Sequence, residues 1–206
     1  NKISAVEVES GGDLFRVEAE TVILSAGSLA NPKILMLSGI GPQDNLMSFG
    51  IKPLINLEGV GKNLQDHPQN FVLAKVKNLE SLDTKSPRLQ VGLRYTSQDS
   101  TLTDDMMMWM GSYAVSGDYR DILPLRDSHS RAQAQLTGIQ ITISLYLGTS
   151  KGSVVLKSAN PEDKPMVNLN LLATESDVNK MEEGVRLASE IMDSSYLEDI
   201  VDFRTS

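Results

Sequence analysis

The segment from residue 21 to residue 42, TVILSAGSLANPKILMLSGIGP, limits what the chain can fold into more than any other part of the sequence. Its apolar residues 21–24 predict a short strand that is covered on both faces. The small residues Ser25, Ala26 and Gly27 follow this strand. Because small residues allow another group to approach the backbone closely, these three positions are a candidate ligand contact.

A short helix is predicted after these small residues. Asn31 is a good N-cap residue, and Pro32 suits the first helical position, where its missing N–H costs nothing. Residues 34–37 are all apolar and would cover every side of the helix, which predicts that it is buried all round. Gly39 suits a left-handed C-cap, and Pro42 can open a second short helix.

Alternating apolar and polar residues predict strands in much of the remaining chain. Residues 3–8 and 14–17 flank Gly11-Gly12 and predict a β-hairpin. In residues 137–147, apolar residues at odd positions alternate with polar or small ones, which predicts a strand with one buried face and one solvated or ligand-facing face. Shorter patterns predict strands at residues 53–57, 71–76, 89–95 and 106–113.

A long helix is predicted near the C-terminal end of the sequence. Thr174 is a suitable N-cap, and Asp177 stands three residues later, as in a weak capping box. The helix carries one apolar stripe at helical spacing, formed by Val178, Met181, Val185, Ala188 and Met192. The pattern as a whole predicts an α+β fold in which a mostly antiparallel sheet is backed by helices.

The composition excludes several kinds of site and partner. The chain has 206 residues, and 40% of them are hydrophobic, which is enough for a sizeable core. A formal net charge of −8 repels nucleic acids and anionic membranes, so neither is predicted as a partner. Without cysteine there are no disulfides, thiolate metal sites or cysteine nucleophile. No apolar run approaches the roughly 20 residues of a membrane span, and the cytoplasm is the default expectation for the compartment.

A second motif, GVGKNLQDHP at residues 59–68, completes a pair with the first segment. In this order the two motifs resemble the glucose–methanol–choline (GMC) family of flavin-dependent oxidoreductases. In that family a strand ending in Ala-Gly leads to a proline-started apolar helix, to Ser-Gly-Ile-Gly-Pro, and later to Val-Gly-x-Asn-Leu-x-Asp-His. The resemblance is specific over residues 18–71, returns over residues 146–192 and is poor in between. Asn31 departs from the family's usual Ser or Thr but caps a helix equally well.

The resemblance implies an FAD-dependent, choline dehydrogenase-like enzyme that passes hydride from the carbon of a small-molecule alcohol to the flavin. It implies that residues 1–76 hold part of an FAD-binding domain and junction motifs. Residues 77–150 would then hold the substrate-binding sheet, and residues 151–206 the start of the family's C-terminal region with the long helix. The fold class expected is therefore α+β, with a mostly antiparallel substrate-domain sheet and remnants of an FAD-binding domain.

The family pattern also assigns roles to individual residues. Ser25, Ala26 and Gly27 are implied to contact FAD, and the implied structural residues near the domain junction are Asn63, Asp66 and His67. The family's Gly-x-Gly-x-x-Gly turn and its catalytic histidine motif do not occur in this sequence, so no catalytic residue is assigned. An internal fragment of a longer enzyme is expected, and the 206 residues alone are expected to be inactive and to bind no FAD.

Several residues keep a second interpretation. A catalytic His67 is the alternative to a structural one. His129 is interpreted as a solvated loop residue, and no metal site is predicted from two histidines so placed. Residues 106–110, MMMWM, are expected to pack in the core, although an apolar substrate pocket is the alternative. Gly59 and Gly61 neither follow a long strand nor open a helix, so no phosphate cradle is predicted.

Two functional classes therefore stay open at this point. The first is the flavin-dependent oxidoreductase, and the second is a flavin-free binding or interaction module that keeps the substrate half of the fold. If parts of the flavin domain lack their neighbours, apolar faces such as residues 34–37 are expected to be exposed or covered by self-association. A homodimer through these faces is the corresponding prediction.

Overall fold

The computed structural model describes residues 3–78, 80, 82, 87, 89–98, 100–115 and 136–205. The chain forms two compact units, each assembled from two stretches of sequence. The first unit comprises residues 1–64 and 152–168, and the second comprises residues 65–151 and 169–206. The predicted α+β class with mostly antiparallel sheets is confirmed. Among the described helices, none combines the length and the apolar character needed to cross a membrane.

The first unit begins with the predicted hairpin. Strands β1 (Ala5–Ser10) and β2 (Asp13–Glu18) pair in antiparallel register. The two turn residues have positive φ, +64° at Gly11 and +89° at Gly12, and a Cβ on either would meet nothing within 4 Å. These angles are those of a type I′ hairpin turn, which explains the pair of glycines.

Helix α1 (Gly27–Leu37) begins five residues earlier than the sequence pattern indicates. Ala26 is its N-cap, so the prediction that Asn31 caps the helix is wrong, and Pro32 lies inside the helix. Residues 21–24 form no regular strand. The sequence pattern misplaced the start because small residues such as Ser28 and Ala30 are acceptable in a helix. Pro32 lies in the second turn of the helix, where it removes the hydrogen bond that its N–H would have donated.

The burial of α1 also differs from the prediction. Met36 is fully buried, whereas Leu35 and Leu37 are half-buried and Ile34 is 36% exposed. A helix at the surface of a small unit buries only the side that meets the core. The predicted homodimer through residues 34–37 stays a prediction, with Ile34 as its exposed apolar residue.

The end of α1 follows the sequence prediction closely. Gly39 takes the left-handed conformation at φ +81° and donates its N–H to the carbonyl of Met36 at 2.9 Å. Two short strands, β3 (Ile40–Gly41) and β4 (Ile55–Asn56), pair in parallel, with helix α2 (Gln43–Ser48) between them in the chain. A small core forms around Met36, Leu46 and Leu156.

A three-stranded antiparallel sheet completes the first unit. Its strands are β5 (Lys62–Leu64), β10 (Gly152–Val155) and β11 (Met166–Asn168), with β10 in the centre. Gly61 precedes β5 at φ +77°, and a Cβ there would lie 2.1 Å from the carbonyl oxygen of Val154. The second glycine of the motif is therefore required by the close approach of two backbones.

The second unit is built on a five-stranded antiparallel sheet. The strand order is β12-β6-β9-β8-β7. The strands are β6 (Gln69–Val76), β7 (Leu89–Tyr95), β8 (Met106–Val115), β9 (Leu136–Leu145) and β12 (Val201–Thr205). Each predicted strand in this unit is found, and β7 has the predicted bounds.

Helix α3 (Glu175–Met192) covers one face of this sheet. Alternate residues of the strands form the core with it, including Met106 and Met108, which are 0% and 2% exposed. Core packing is thus confirmed for these two methionines. Gly184 lies at the contact, because a Cβ there would be 2.6 Å from Cγ2 of Ile143 and 3.0 Å from Cε of Met106. The missing side chain lets the helix approach the sheet closely.

Strand β9 corrects the prediction of a half-buried strand. Its apolar residues at odd positions face the core with α3, yet Gln140, Thr142 and Ser144 on the other face are also buried, with exposures of 7%, 2% and 0%. Gln140 Nε2 donates to Thr142 Oγ1 at 2.8 Å. Gln140 and Thr142 are buried as a hydrogen-bonded pair, whereas the buried Ser144 hydroxyl bonds to none of the described residues. Alternation of polarity therefore predicted the strand but not its burial.

Candidate functional site

Ser25, Ala26 and Gly27 lie where an extended segment enters α1. All three residues are exposed. Gly27 has φ +88°, and a Cβ placed on it would meet no atom within 4 Å. The glycine is therefore needed for its left-handed backbone, and it faces open space rather than packed protein.

The start of α1 offers backbone donors that no described side chain caps. Ala26 has no acceptor in its side chain, and the first turn of the helix holds no acidic residue. Asn31 accepts the Ala26 N–H at 2.9 Å and donates to the carbonyl of Leu24 at 3.4 Å, so it braces the segment from within the helix. Free N–H groups at the positive end of a helix suit a ligand group rich in hydrogen-bond acceptors.

The predicted structural residues of the second motif fall in different units. Asn63 belongs to the first unit and adopts φ +60°, a left-handed conformation that asparagine tolerates better than most residues. Asp66 and His67 belong to the second unit. Their structural role stays a prediction, and the backbone of Asn63 gives that prediction a physical basis.

His67 packs against a tyrosine that the sequence did not single out. The rings of His67 and Tyr146 stack with centroids 4.3 Å apart and an angle of 12° between their planes. Asp66 Oδ1 accepts the backbone N–H of His67 at 2.8 Å, and the guanidinium carbon of Arg94 lies 5.5 Å from the centroid of the Tyr146 ring. This stacking fixes the orientation of the His67 ring within the second unit.

Asp105, directly before β8, is a buried carboxylate that sequence reasoning missed. It is 0% exposed and accepts Lys180 Nζ at 2.8 Å, together with the backbone N–H and hydroxyl of Ser97, both at 2.8 Å. Burial opposes its ionisation, but hydrogen bonds from Lys180, Ser97 and Ser100 outweigh that effect and lower its pKa from 3.8 to about 2. The Asp105 carbonyl accepts the Tyr146 N–H at 2.8 Å, so this network also fixes Tyr146.

Asp177 is the centre of a second buried hydrogen-bond network, at the start of α3. Thr174 caps the helix as predicted, with its hydroxyl accepting the Asp177 N–H at 3.3 Å. The Asp177 carboxylate accepts the backbone N–H of Thr149 at 2.9 Å and that of Ser150 at 2.7 Å. Burial works against ionisation here too, but hydrogen bonds from Ser150 and Thr149 prevail and lower the pKa of Asp177. The sequence signal for Asp177 was its place three residues after the N-cap Thr174, as in a capping box.

Tyr95 has a buried hydroxyl that bonds to none of the described residues. Burial, together with the negative charges of Glu183 and Asp105, raises its pKa to about 12. The phenol therefore stays protonated near pH 7.

The structure offers no metal cluster within the part of the chain that it describes, since no three histidine, aspartate or glutamate side chains converge there. His129 lies outside the described residues. His67 is the other histidine of the sequence, and its ring is engaged with Tyr146.

Two family models match the chain. Residues 1–69 match the N-terminal model of the GMC oxidoreductases, and residues 148–204 match the C-terminal model of the same family. The two matches occur in the order expected of the family, and they flank the strands β7, β8 and β9 of the five-stranded sheet.

Named relatives support the same assignment. The oxygen-dependent choline dehydrogenase of Staphylococcus aureus strain MSSA476 is 30% identical over 209 aligned residues, covering 96% of this chain and 37% of the relative. The chain thus spans little more than a third of the curated relatives that it matches.

Solved structures share the fold. Pyridoxine 4-oxidase of Mesorbium loti superposes with a TM-score of 0.79 at 22% identity, over 100% of this chain and 39% of that one. The formate oxidase of Aspergillus oryzae RIB40, studied for modification of its FAD, gives a TM-score of 0.76 at 22% identity, over 98% of this chain and 42% of that one. At this identity the likeness shows the fold alone.

Proposed function

The chain belongs to the GMC oxidoreductase family, whose cofactor is FAD, and we propose that it forms the interior part of a longer enzyme that oxidises a CH–OH group. The observation that carries this proposal is the exposed, uncapped start of α1 at Ser25, Ala26 and Gly27, inside the segment that matches the N-terminal family model. The curated relative named a choline dehydrogenase supports a small alcohol as the substrate.

The residues at the start of α1 fit a contact with FAD. Gly27 leaves open space where any other residue would carry a Cβ, and the helix end supplies donors for acceptor atoms of the cofactor. We assign Ser25, Ala26 and Gly27 to this contact. When bound, FAD supplies the acceptor for the hydride that leaves the alcohol carbon.

We assign structural roles, and no part in the reaction, to the remaining residues of this chain. We assign no catalytic residue among them, because the family's histidine motif does not occur in this sequence. His67 is assigned a structural role, since its ring stacks on Tyr146.

The proposal is tested on the full-length protein by its visible absorption. Bound flavin absorbs at about 450 nm, and turnover of a panel of small alcohols should bleach this absorbance in the absence of an electron acceptor. The 206-residue chain alone is expected to be colourless. A colourless full-length protein that still binds alcohols would favour the flavin-free binding module instead.

A pair of glycine variants tests the assigned contact. Gly27→Ala and Gly12→Ala introduce the same methyl group at almost the same φ, +88° and +89°, and both positions face open space. The cost of placing an L side chain at positive φ is therefore similar at the two positions. Gly27→Ala is expected to lower the flavin-to-protein ratio at least about ten-fold, since one methyl blocks a close backbone approach. Equal flavin content in both variants would remove Gly27 from the contact.

A further inference from the structure

The segment that leads into α1 is held by the side chain of Asn31. The Asn31 Oδ1 accepts the backbone N–H of Ala26 at 2.9 Å, and its Nδ2 donates to the carbonyl of Leu24 at 3.4 Å. Within the part of the chain that the structure describes, no other side chain hydrogen-bonds to residues 21–26. Residues 23–26 are exposed and belong to no strand, so the segment has no other polar side-chain anchor there.

The two hydrogen bonds of Asn31 lie on either side of Ser25. The carbonyl of Leu24 and the N–H of Ala26 are the pair of groups that one edge of a strand presents to its neighbour. A carboxamide carries an acceptor and a donor on separate atoms, as a peptide group does. The Asn31 side chain therefore takes the place of a neighbouring strand for this short segment.

The bond to Ala26 also determines which backbone donors of α1 stay available. Ala26 is the N-cap of the helix, and Asn31 reaches back to its N–H from the second turn. A capping box uses a side chain of the first turn in the same way. With the Ala26 N–H occupied, the N–H groups of Gly27, Ser28 and Leu29 follow in the first turn without an acceptor inside the helix. They lie beside the open space at Gly27.

We propose that Asn31 is a positioning residue for FAD, an inference that rests on the proposed function. Both ends of its carboxamide are engaged by backbone, so it acts through residues 24–26 rather than by touching the cofactor. It holds these residues in one conformation, and the backbone at Gly27 then meets FAD already ordered. A segment that is ordered before binding loses less conformational entropy on binding, which raises the affinity.

Titration of the flavin-free full-length protein with FAD tests this role, with the dissociation constant measured by flavin fluorescence. Asn31→Leu keeps a similar volume but removes both hydrogen bonds, and it is expected to weaken FAD binding at least about ten-fold. The control is Asn56→Leu, because Asn56 Oδ1 accepts the N–H of Gln43, the first residue of α2, at 3.1 Å. This control also removes a side-chain bond at a helix start in the first unit, and it should change the affinity by less than about two-fold.

A double-variant cycle with Gly27→Ala separates positioning from a general loss of stability. If Asn31 acts through the backbone at Gly27, the change Asn31→Leu should weaken FAD binding at least about ten-fold in the wild-type background. In the Gly27→Ala background the contact is already blocked, so the same change should cost at most about two-fold. Circular dichroism of each flavin-free variant verifies that it is folded.

A conservative variant tests whether hydrogen bonding at position 31 is the cause. Asn31→Thr introduces the residue type usual at this position in the GMC family, with a hydroxyl that can both accept and donate. It should bind FAD at least about three-fold more tightly than Asn31→Leu does. Equal affinity of these two variants would show that the hydrogen bonds of Asn31 are not responsible.

The outcomes distinguish this inference from the proposed function. Unchanged FAD affinity in Asn31→Leu, or a ten-fold loss that is equal in both backgrounds of the cycle, overturns the positioning role and leaves the proposed function standing. Unchanged FAD affinity in Gly27→Ala removes the contact through which Asn31 would act. A wild-type full-length protein that binds no FAD overturns both the inference and the proposed function.

Discussion

Replacing Lys180 by methionine removes one partner of the buried ion pair with Asp105 and keeps the volume of the side chain nearly constant. The Lys180 side chain is 9% exposed and that of Asp105 is 0% exposed, with 2.8 Å between Nζ and Oδ2. The variant leaves the carboxylate in the core with only the hydrogen bonds from Ser97 and Ser100. We expect a large loss of stability, since an uncompensated buried charge is costly.

The magnitude follows from the burial of both partners. Lys180→Met should lower the free energy of unfolding by about 3 kcal/mol or more. The double variant Asp105→Asn/Lys180→Met removes both charges and should cost only about 1–2 kcal/mol, because no charge is then left unpaired. The matched control is Lys75→Met, whose partner Asp202 lies 3.6 Å away with side chains 55% and 45% exposed. That surface pair should contribute at most about 1 kcal/mol.

The pH dependence has a definite sign. Asp105 ionises more readily in the folded chain, with a pKa of about 2 against 3.8 as the ordinary value. Its contribution is therefore fully present above about pH 4 and is lost as the pH falls toward 2. The gap corresponds to about 2 kcal/mol, so the stability difference between wild type and Asp105→Asn should shrink by that amount over this interval.

Urea unfolding followed by tryptophan fluorescence measures these differences. Trp109 is the one tryptophan of the sequence and lies in β8, so its signal reports the second unit. The reasoning fails if Lys180→Met and Lys75→Met lose the same stability. It also fails if the double variant is less stable than Lys180→Met, because the two charges would then not be coupled.

Two glycine substitutions give further tests by thermal unfolding. Gly184→Ala gains about 1 kcal/mol of helix propensity, but its Cβ would lie 2.6 Å from the stiff Ile143 side chain. The free energy of unfolding should therefore fall by about 1–2 kcal/mol. An increase in melting temperature would contradict this expectation. Gly61→Ala should cost at least about 3 kcal/mol, since its Cβ would meet the Val154 carbonyl at 2.1 Å. Gly59→Ala, in open space, should stay within about 0.5 kcal/mol, and similar losses at both positions would refute the backbone explanation.

Elements determined by local chemistry could be predicted from the sequence. The hairpin followed from Gly11-Gly12 between alternating segments, and the C-cap of α1 followed from Gly39, because both require positive φ. The start of α3 followed from Thr174, whose hydroxyl accepts a helix N–H. Each of these signals acts over a few residues, so no knowledge of the rest of the fold was needed.

Features determined by distant neighbours could not be predicted. The start of α1 was misplaced because Asn31 and Pro32 are residue types typical of a helix start, whereas Asn31 lies inside the helix and accepts the Ala26 N–H. The pairing of Asp105 with Lys180 joins residues 75 positions apart, and neither has a local signature. Tyr146 likewise became part of a candidate site only because the fold stacks it on His67.

The motif GVGKNLQDHP shows how one short sequence can combine several unrelated physical requirements. Position 61 requires glycine, because a Cβ there would meet the carbonyl of Val154. Asn63 adopts a left-handed backbone conformation, and both residues lie in the first unit. The chain then passes into the second unit at residue 65, where Asp66 and His67 line a cavity and the His67 ring stacks on Tyr146. The first half of the motif should therefore tolerate no change of backbone conformation. Its second half should tolerate substitutions that keep the stacking of position 67 on Tyr146, so the two halves can be separated experimentally by the free energy of unfolding of variants in each half.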